Sequence, residues 1–195
     1  MQILPQQPGY SSIVFRSHHQ TLMSRSLSGR VDLRRVGGHY WSCELHYRQL
    51  LPDEFDGIYA FLLRHKGAYE PFQVLLPARH SATHHGPIQV HGDGQSGDRL
   101  VTRGWPTNTQ NIMPHNSPIV IDGALKFYRL VQTAHSDASG HARLHIEPEL
   151  VEMPIDGQLL VIRDVPLTVI ATDVIEYNLS APYFYDVTVQ CQEYF

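Results

Sequence analysis

The chain has 195 residues, 42% of them hydrophobic and 17% charged, with a formal net charge of -4. That length allows one ample domain or two small ones. The acidic balance disfavours a general nucleic-acid binder, which needs many basic side chains to displace counterions. No apolar run approaches the roughly 20 residues of a membrane span. The opening "MQILPQQPGYSS" lacks a basic segment followed by a long apolar core, so a signal peptide is not expected. Cys43 and Cys191 are the two cysteines, too few for a disulfide framework, and a reducing compartment is expected.

Residues 13–35 read as short strands, "IVFRS" and then "RVDLRR". In "HYWSCELHY", Trp41, Cys43, Leu45 and Tyr47 alternate with Ser42, Glu44 and His46, the period of a half-buried strand. A hairpin between these last two segments must keep one face apolar. A loop over 36–38 does so by setting Leu33 opposite Trp41 and Val31 opposite Cys43. The period then changes. "LPDEFDGIYAFLLRHKG" sets Phe55, Ile58, Tyr59 and Leu62 at helical spacing, which predicts a helix over about 52–66. Pro52 suits its first turn, Asp53, Glu54 and Asp56 suit the positive end of the dipole, and Gly67 suits the stop. "PFQVLLP" follows as a strand bounded by prolines.

The polar "ARHSATHHGP" reads as a linker. Beyond it come six strand-like segments: "IQVHG", "DRLVTRG", "SPIVIDG", "LKFYRLV", "ARLHIEP" and "QLLVIRD". After Pro166 the pattern of the first eighty or so residues returns in "PLTVIATDVIEYNLS" and "YDVTVQCQEY". The expected fold is mainly β with one helix. Residues 1–79 and 166–195 form a sandwich- or barrel-like first domain, and residues 80–165 form an all-β domain inserted into it.

The histidines raise the question of a metal site. "HARLHIE" reads as a strand with His141, Arg143, His145 and Glu147 on one face. His141 and His145 then lie about 13 Å apart at about 3.3 Å per residue, too far for two ligands of one zinc. The adjacent pairs His18-His19 and His84-His85 point to opposite strand faces. In "QTAHSDASGHARLHIEPEL", Ser136, Asp137, Ser139 and Gly140 suit the turn of a hairpin. That turn leaves a cross-strand approach of His135 and His141 open as the weaker reading. "GDGQSGD" lacks the following helix and Lys-Ser/Thr of a phosphate cradle. Ser96 sits in no nucleophile elbow, and both cysteines fall on apolar strand faces. No catalytic residue, metal site or cofactor is expected. Trp105, in "RGWPTN", is read as a loop residue that could stack on a sugar or touch a protein.

The stretch "HYWSCELHYRQLLPDEFDGIYAFLLRHKGAYEPFQVLLP", residues 39–77, resembles the first domain of distal tail proteins of long-tailed bacteriophages. A Tyr-Trp strand there runs through "LPDEF" into an amphipathic helix and a "VLLP" strand. The stretch "DGALKFYRLVQTAHSDASGHARLHIEPELVEMPIDGQLLVI", residues 122–162, is similar to their inserted domain in the group where that domain is an oligonucleotide/oligosaccharide-binding (OB)-like barrel. Ala124 departs from that pattern, in which a charged residue often follows the glycine, and the first thirty residues match loosely.

The resemblance implies a structural virion protein, made in the host cytoplasm and placed at the tail tip of a siphophage. It implies a hexameric ring, a baseplate hub component that joins the tail tube protein to the baseplate hub protein and to receptor-binding or side-fibre proteins. No enzyme activity, nucleic acid or membrane partner is implied. Arg34, Arg35 and Tyr40 are the candidates for the contact between copies. The alternative is a carbohydrate-binding module that reaches host-surface glycans through the inserted domain, with Trp105 as its contact.

Overall fold

The computed structural model describes residues 1–76 and 86–195. Most of the expected linker, with His84 and His85, lies outside the described residues. The elements in chain order are β1 (Ser12–His18), β2 (Thr21–Arg25), β3 (Val31–Arg35), β4 (Tyr40–Leu50), α1 (Pro52–His65) and β5 (Phe72–Leu75). Then follow β6 (Gln89–Val90), β7 (Arg99–Arg103), β8 (Pro118–Ile121), β9 (Phe127–Leu130), β10 (His141–Glu147) and β11 (Leu160–Val161). The chain ends through β12 (Pro166–Ala171), β13 (Glu176–Ser180) and β14 (Phe184–Glu193). The protein is thus mainly β, with one helix among the described residues. Two compact units arise. One is Leu4–Phe72 with Val169–Glu193, and the other is Gln73–Thr168 with Met1–Ile3 and Tyr194–Phe195.

In the first unit, β1, β4, β14 and β12 follow one another in a sheet, and β13 also pairs with β14. Strand β4 is its centre. Trp41, Cys43, Leu45 and Tyr47 are buried, and the residues between them are half-buried, so the expected alternation is present. The expected partner is not. β4 pairs with β1, setting Phe15 opposite Cys43 and Ile13 opposite Leu45, while β3 pairs with β2, setting Leu33 opposite Met23. The hairpin with a loop over 36–38 is therefore corrected. β1 satisfies the same parity as β3 and does so over seven residues, with Phe15 stacked on Trp41 at 5.1 Å between ring centroids.

Near its end, β4 carries a bulge. Leu50 faces Tyr185 and Tyr47 faces Val187, so two residues of β4 stand against Asp186 alone. Gln49 adopts φ 56, and its N–H donates to Asp186 Oδ1 at 2.8 Å, which replaces the lost ladder bond. The helix starts one residue after this strand. Leu51 has no side-chain acceptor, so only half a capping box forms: its N–H donates to Glu54 Oε2 at 2.9 Å. Phe55, Ile58, Leu62 and His65 form the buried face. The stop comes at Lys66, which takes the left-handed conformation one residue before Gly67.

The second unit holds a sheet in the order β11-β8-β9-β10-β7-β6. All six expected segments are present. Gln89 on β6 bridges Leu159 beside β11, Val90 N–H donates to the Gln158 carbonyl, and Leu160 N–H donates to the Ile88 carbonyl. These bonds bring the sheet's two edges together into a nearly closed barrel. Its interior is filled by Ile88, Val90, Leu100, Ile119, Tyr128, Leu144 and their neighbours. The turn before β10 forms as expected. Asp137 Oδ1 accepts the N–H groups of Ser139 at 2.8 Å and His141 at 2.9 Å. Gly140 is required there twice over: it has φ 72, and a Cβ would stand 2.5 Å from the Trp105 carbonyl oxygen.

Two outcomes test this packing. Gly140→Ala should lower stability by about 2 kcal/mol or more. Gly57→Ala, inside α1 with nothing near the added methyl, should raise it by about 0.5–1 kcal/mol. Thermal unfolding of the two variants would show shifts of opposite sign. A second test concerns the turn. Bonds from backbone N–H groups, chiefly that of His141, hold the Asp137 carboxyl below its usual range. A depressed folded pKa stabilises above the unfolded value and stops doing so as pH falls through the folded one. Asp137→Asn should therefore lower the unfolding midpoint at pH 7, and the gap from the parent should close as pH falls below about 4.

Candidate functional site

The residues singled out by sequence do not converge. Arg34 and Arg35 lie on β3, in the exposed two-stranded hairpin. Tyr40 begins β4 in the sheet, half-buried, with its ring stacked on His18 at 4.4 Å. The arginines and the tyrosine thus belong to different sheets. Trp105 is corrected: it is 4% exposed, and its indole N–H donates to Thr102 Oγ1 at 2.8 Å inside the barrel core. An indole so placed has no face to offer a sugar ring. Its burial is hidden in the sequence because "RGWPTN" has no strand period, and the closure of Gly140 over it comes from 35 residues further on.

The histidines of 132–150 are held apart by separate partners. His135 Nδ1 accepts the Asn111 N–H at 3.2 Å. His141 stacks on His91 at 4.3 Å and stands 3.8 Å from Asp137. The glycine-rich 92–98 stretch is a loop satisfied from within: Gln95 Nε2 donates to the carbonyls of His91, Gly92 and Val101, and Gln95 Oε1 accepts the Val101 N–H. Gly92 N–H donates to Asp156 Oδ1 at 2.8 Å. These donors are used, so the loop does not present a cradle for phosphate.

Cys43 and Cys191 face each other in register on β4 and β14, both buried. The hydrogen bond to Cys43 and then burial push the Cys191 thiol well up, so it stays protonated and inert as a nucleophile. Tyr47 lies beside them. Burial, above all, also raises its hydroxyl. That hydroxyl has no hydrogen-bond partner among the described residues.

The surface of the Leu4–Phe72 unit carries three features. The first is an open groove of about 390 Å³ on the polar side of the sheet, lined by Arg16, His18, Tyr40, Ser42, Glu44 and Gln190 among others. Arg16 pairs with Glu44 at 2.9 Å, and His18 is hydrogen-bonded to Ser42 at 2.8 Å, so its polar groups bind one another. The second is the β2–β3 hairpin. All ten strand residues are exposed, with Leu22 at 60%, Met23 at 69% and Leu33 at 65%. Among the described residues its strands pair only with each other. A two-stranded ribbon with no buried face is marginal alone, and here its apolar side chains face solvent.

The third feature is the β13 end. Phe55 stacks on Tyr185 at 4.1 Å and on Tyr59 at 5.1 Å, and Tyr177 leans on both Phe55 and Tyr59. Tyr177, Leu179, Tyr183 and Phe184 are nevertheless exposed. The sequence alone reads 166–180 as one strand and so misses this end. The signal that could have found it is "TDV", a turn-like break where β12 gives way to β13.

Residues 4–79 match the family model described as distal tail protein pb9, A domain, N-terminal. The chain therefore carries a distal tail protein domain segment, which supports a structural role in a phage tail. No curated protein matches the chain.

Two expected outcomes follow from the burial. Because the hairpin buries nothing, Leu22→Ser and Met23→Ser should each change stability by less than about 0.5 kcal/mol, as read by denaturant unfolding. Tyr47→Phe removes a buried hydroxyl that has no partner among the described residues, so it should raise stability by up to about 1–3 kcal/mol.

Proposed function

We propose that this protein is the distal tail ring of a siphophage: six copies at the tail tip that join the tail tube to the baseplate hub and to receptor-binding or side-fibre proteins. The single observation that carries the reading is the family match over residues 4–79, the stretch that contains the exposed hairpin. We assign ring formation to a domain of residues 1–79 and 166–195. We assign peripheral contacts to an inserted barrel of residues 80–165, OB-like in being a small antiparallel barrel. Closed rings need head-to-tail contacts between two different surfaces of each copy. Arg34 and Arg35 stand on the hairpin where such a contact would be made. Tyr40 borders the polar groove of the sheet, a second place for a neighbour.

The glycan-binding alternative loses its anchor with Trp105 in the barrel core. A catalytic role finds no support in a structural tail family.

Electron microscopy of virions labelled on this chain tests the reading. The expected result is label at the tail tip on a six-fold ring. Label on the capsid, or one copy per tail, would reject it. Replacing both Arg34 and Arg35 by Glu should leave the unfolding midpoint unchanged and reduce incorporation into tails.

A further inference from the structure

We infer that the β2–β3 hairpin of one copy seats on the edge of β13 left unpaired among the described residues, and on the acidic aromatic end beside it, of a second copy. The inference rests on the ring reading and names the two surfaces that meet.

The two surfaces match in three respects. The first is charge. Between Thr21 and Arg35 stand Arg25, Arg30, Arg34 and Arg35 against Asp32 alone. Residues 172–186 carry Asp173, Glu176 and Asp186 and no lysine or arginine, and the first turns of α1 add Asp53, Glu54 and Asp56. An open groove of about 340 Å³, lined by Thr172, Asp173, Val174, Glu176, Thr188 and Gln190, offers a place for an arginine head. The second is apolar surface. Leu22, Met23 and Leu33 are exposed on the hairpin, and Tyr177, Leu179, Tyr183 and Phe184 are exposed at the β13 end. Aromatic side chains flanked by charge make strong anchors for such contacts. The third is backbone. β13 bonds to β14 along one edge, and all five of its residues are exposed. The hairpin likewise has outer edges unpaired among the described residues. Edge strands in this condition take up a strand from another chain.

The hairpin and the β13 end are different surfaces of one chain. A contact between them is head-to-tail, the kind that propagates round a ring, whereas a two-fold contact would use one surface twice and stop at a dimer. Charge complementarity of this sign also steers approach and rejects hairpin-to-hairpin pairing, where arginines would face arginines.

The test uses assembled tails of the full chain carrying Met23→Cys and Leu179→Cys together. Both positions are exposed and the native cysteines are buried, so a short bis-maleimide reports these two alone. The expected result is a ladder of covalent oligomers up to the ring, absent from either single variant. A charge exchange gives a second readout. Arg34→Glu should lower incorporation into tails at least about fivefold, and adding Glu176→Arg to the same chain should restore it. Tails with several copies but neither ladder nor rescue would overturn this contact and leave the ring standing. Tails with one copy would overturn both.

Discussion

The pairing of β4 with β14 is the constraint on which the Leu4–Phe72 unit depends. It joins residues 42–50 to residues 185–192 in one antiparallel ladder, with Cys43 on Cys191 and Leu45 on Val189. The buried carboxylate of Glu193 extends the junction by accepting the Trp41 N–H at 3.0 Å. Every other element of that unit's main sheet leans on these two strands. β1 adds to the free side of β4, β12 and β13 add to β14, and α1 starts from the bulge where the ladder is interrupted. The ladder spans more than 130 residues of chain, so its loop-closure entropy is large and the unit is expected to complete late in folding. Two small buried thiols, Cys43 and Cys191, meet in register at this ladder.

The barrel solves a different problem. Its strands are short, two to seven residues, and each alone is too weak to define a sheet. Near-closure supplies the missing cooperativity by pairing both edges through residues 157–160. Side chains take the place of backbone turns around the rim. Asp137 and Asp156 accept backbone N–H groups from loops, and Gln95 accepts that of Val101 on β7. Ser136 donates to the Pro106 carbonyl and accepts the Thr109 N–H, tying the loop after β7 to the turn before β10.

The two edges left unpaired among the described residues stand in contrast. A soluble protein usually guards an exposed edge with charge, a bulge or a covering loop. Here the β2–β3 hairpin and β13 carry apolar side chains beside their charges, and the charges differ in sign between them. That pattern is what the proposed contact between copies draws on, and the hairpin lies within residues 4–79, which match the distal tail protein family model.

The sequence by itself determined the elements whose signal is local. The helix was legible because Phe55, Ile58 and Leu62 repeat at its period and Pro52 marks its start. The barrel strands were legible because each alternates between turns, and Asp137 and Gly140 declared the turn between them. Tertiary structure alone decided which strand lies beside which. Parity allowed β4 to pair with β3 or with β1, and the longer, stacked match of Phe15 on Trp41 prevailed. That choice freed the hairpin and made Leu22, Met23 and Leu33 a surface. It is also why Trp105, without a period of its own, could be read as exposed when a distant glycine closes over it. Periodicity states which face of a strand is apolar; what covers that face depends on partners far away in the chain.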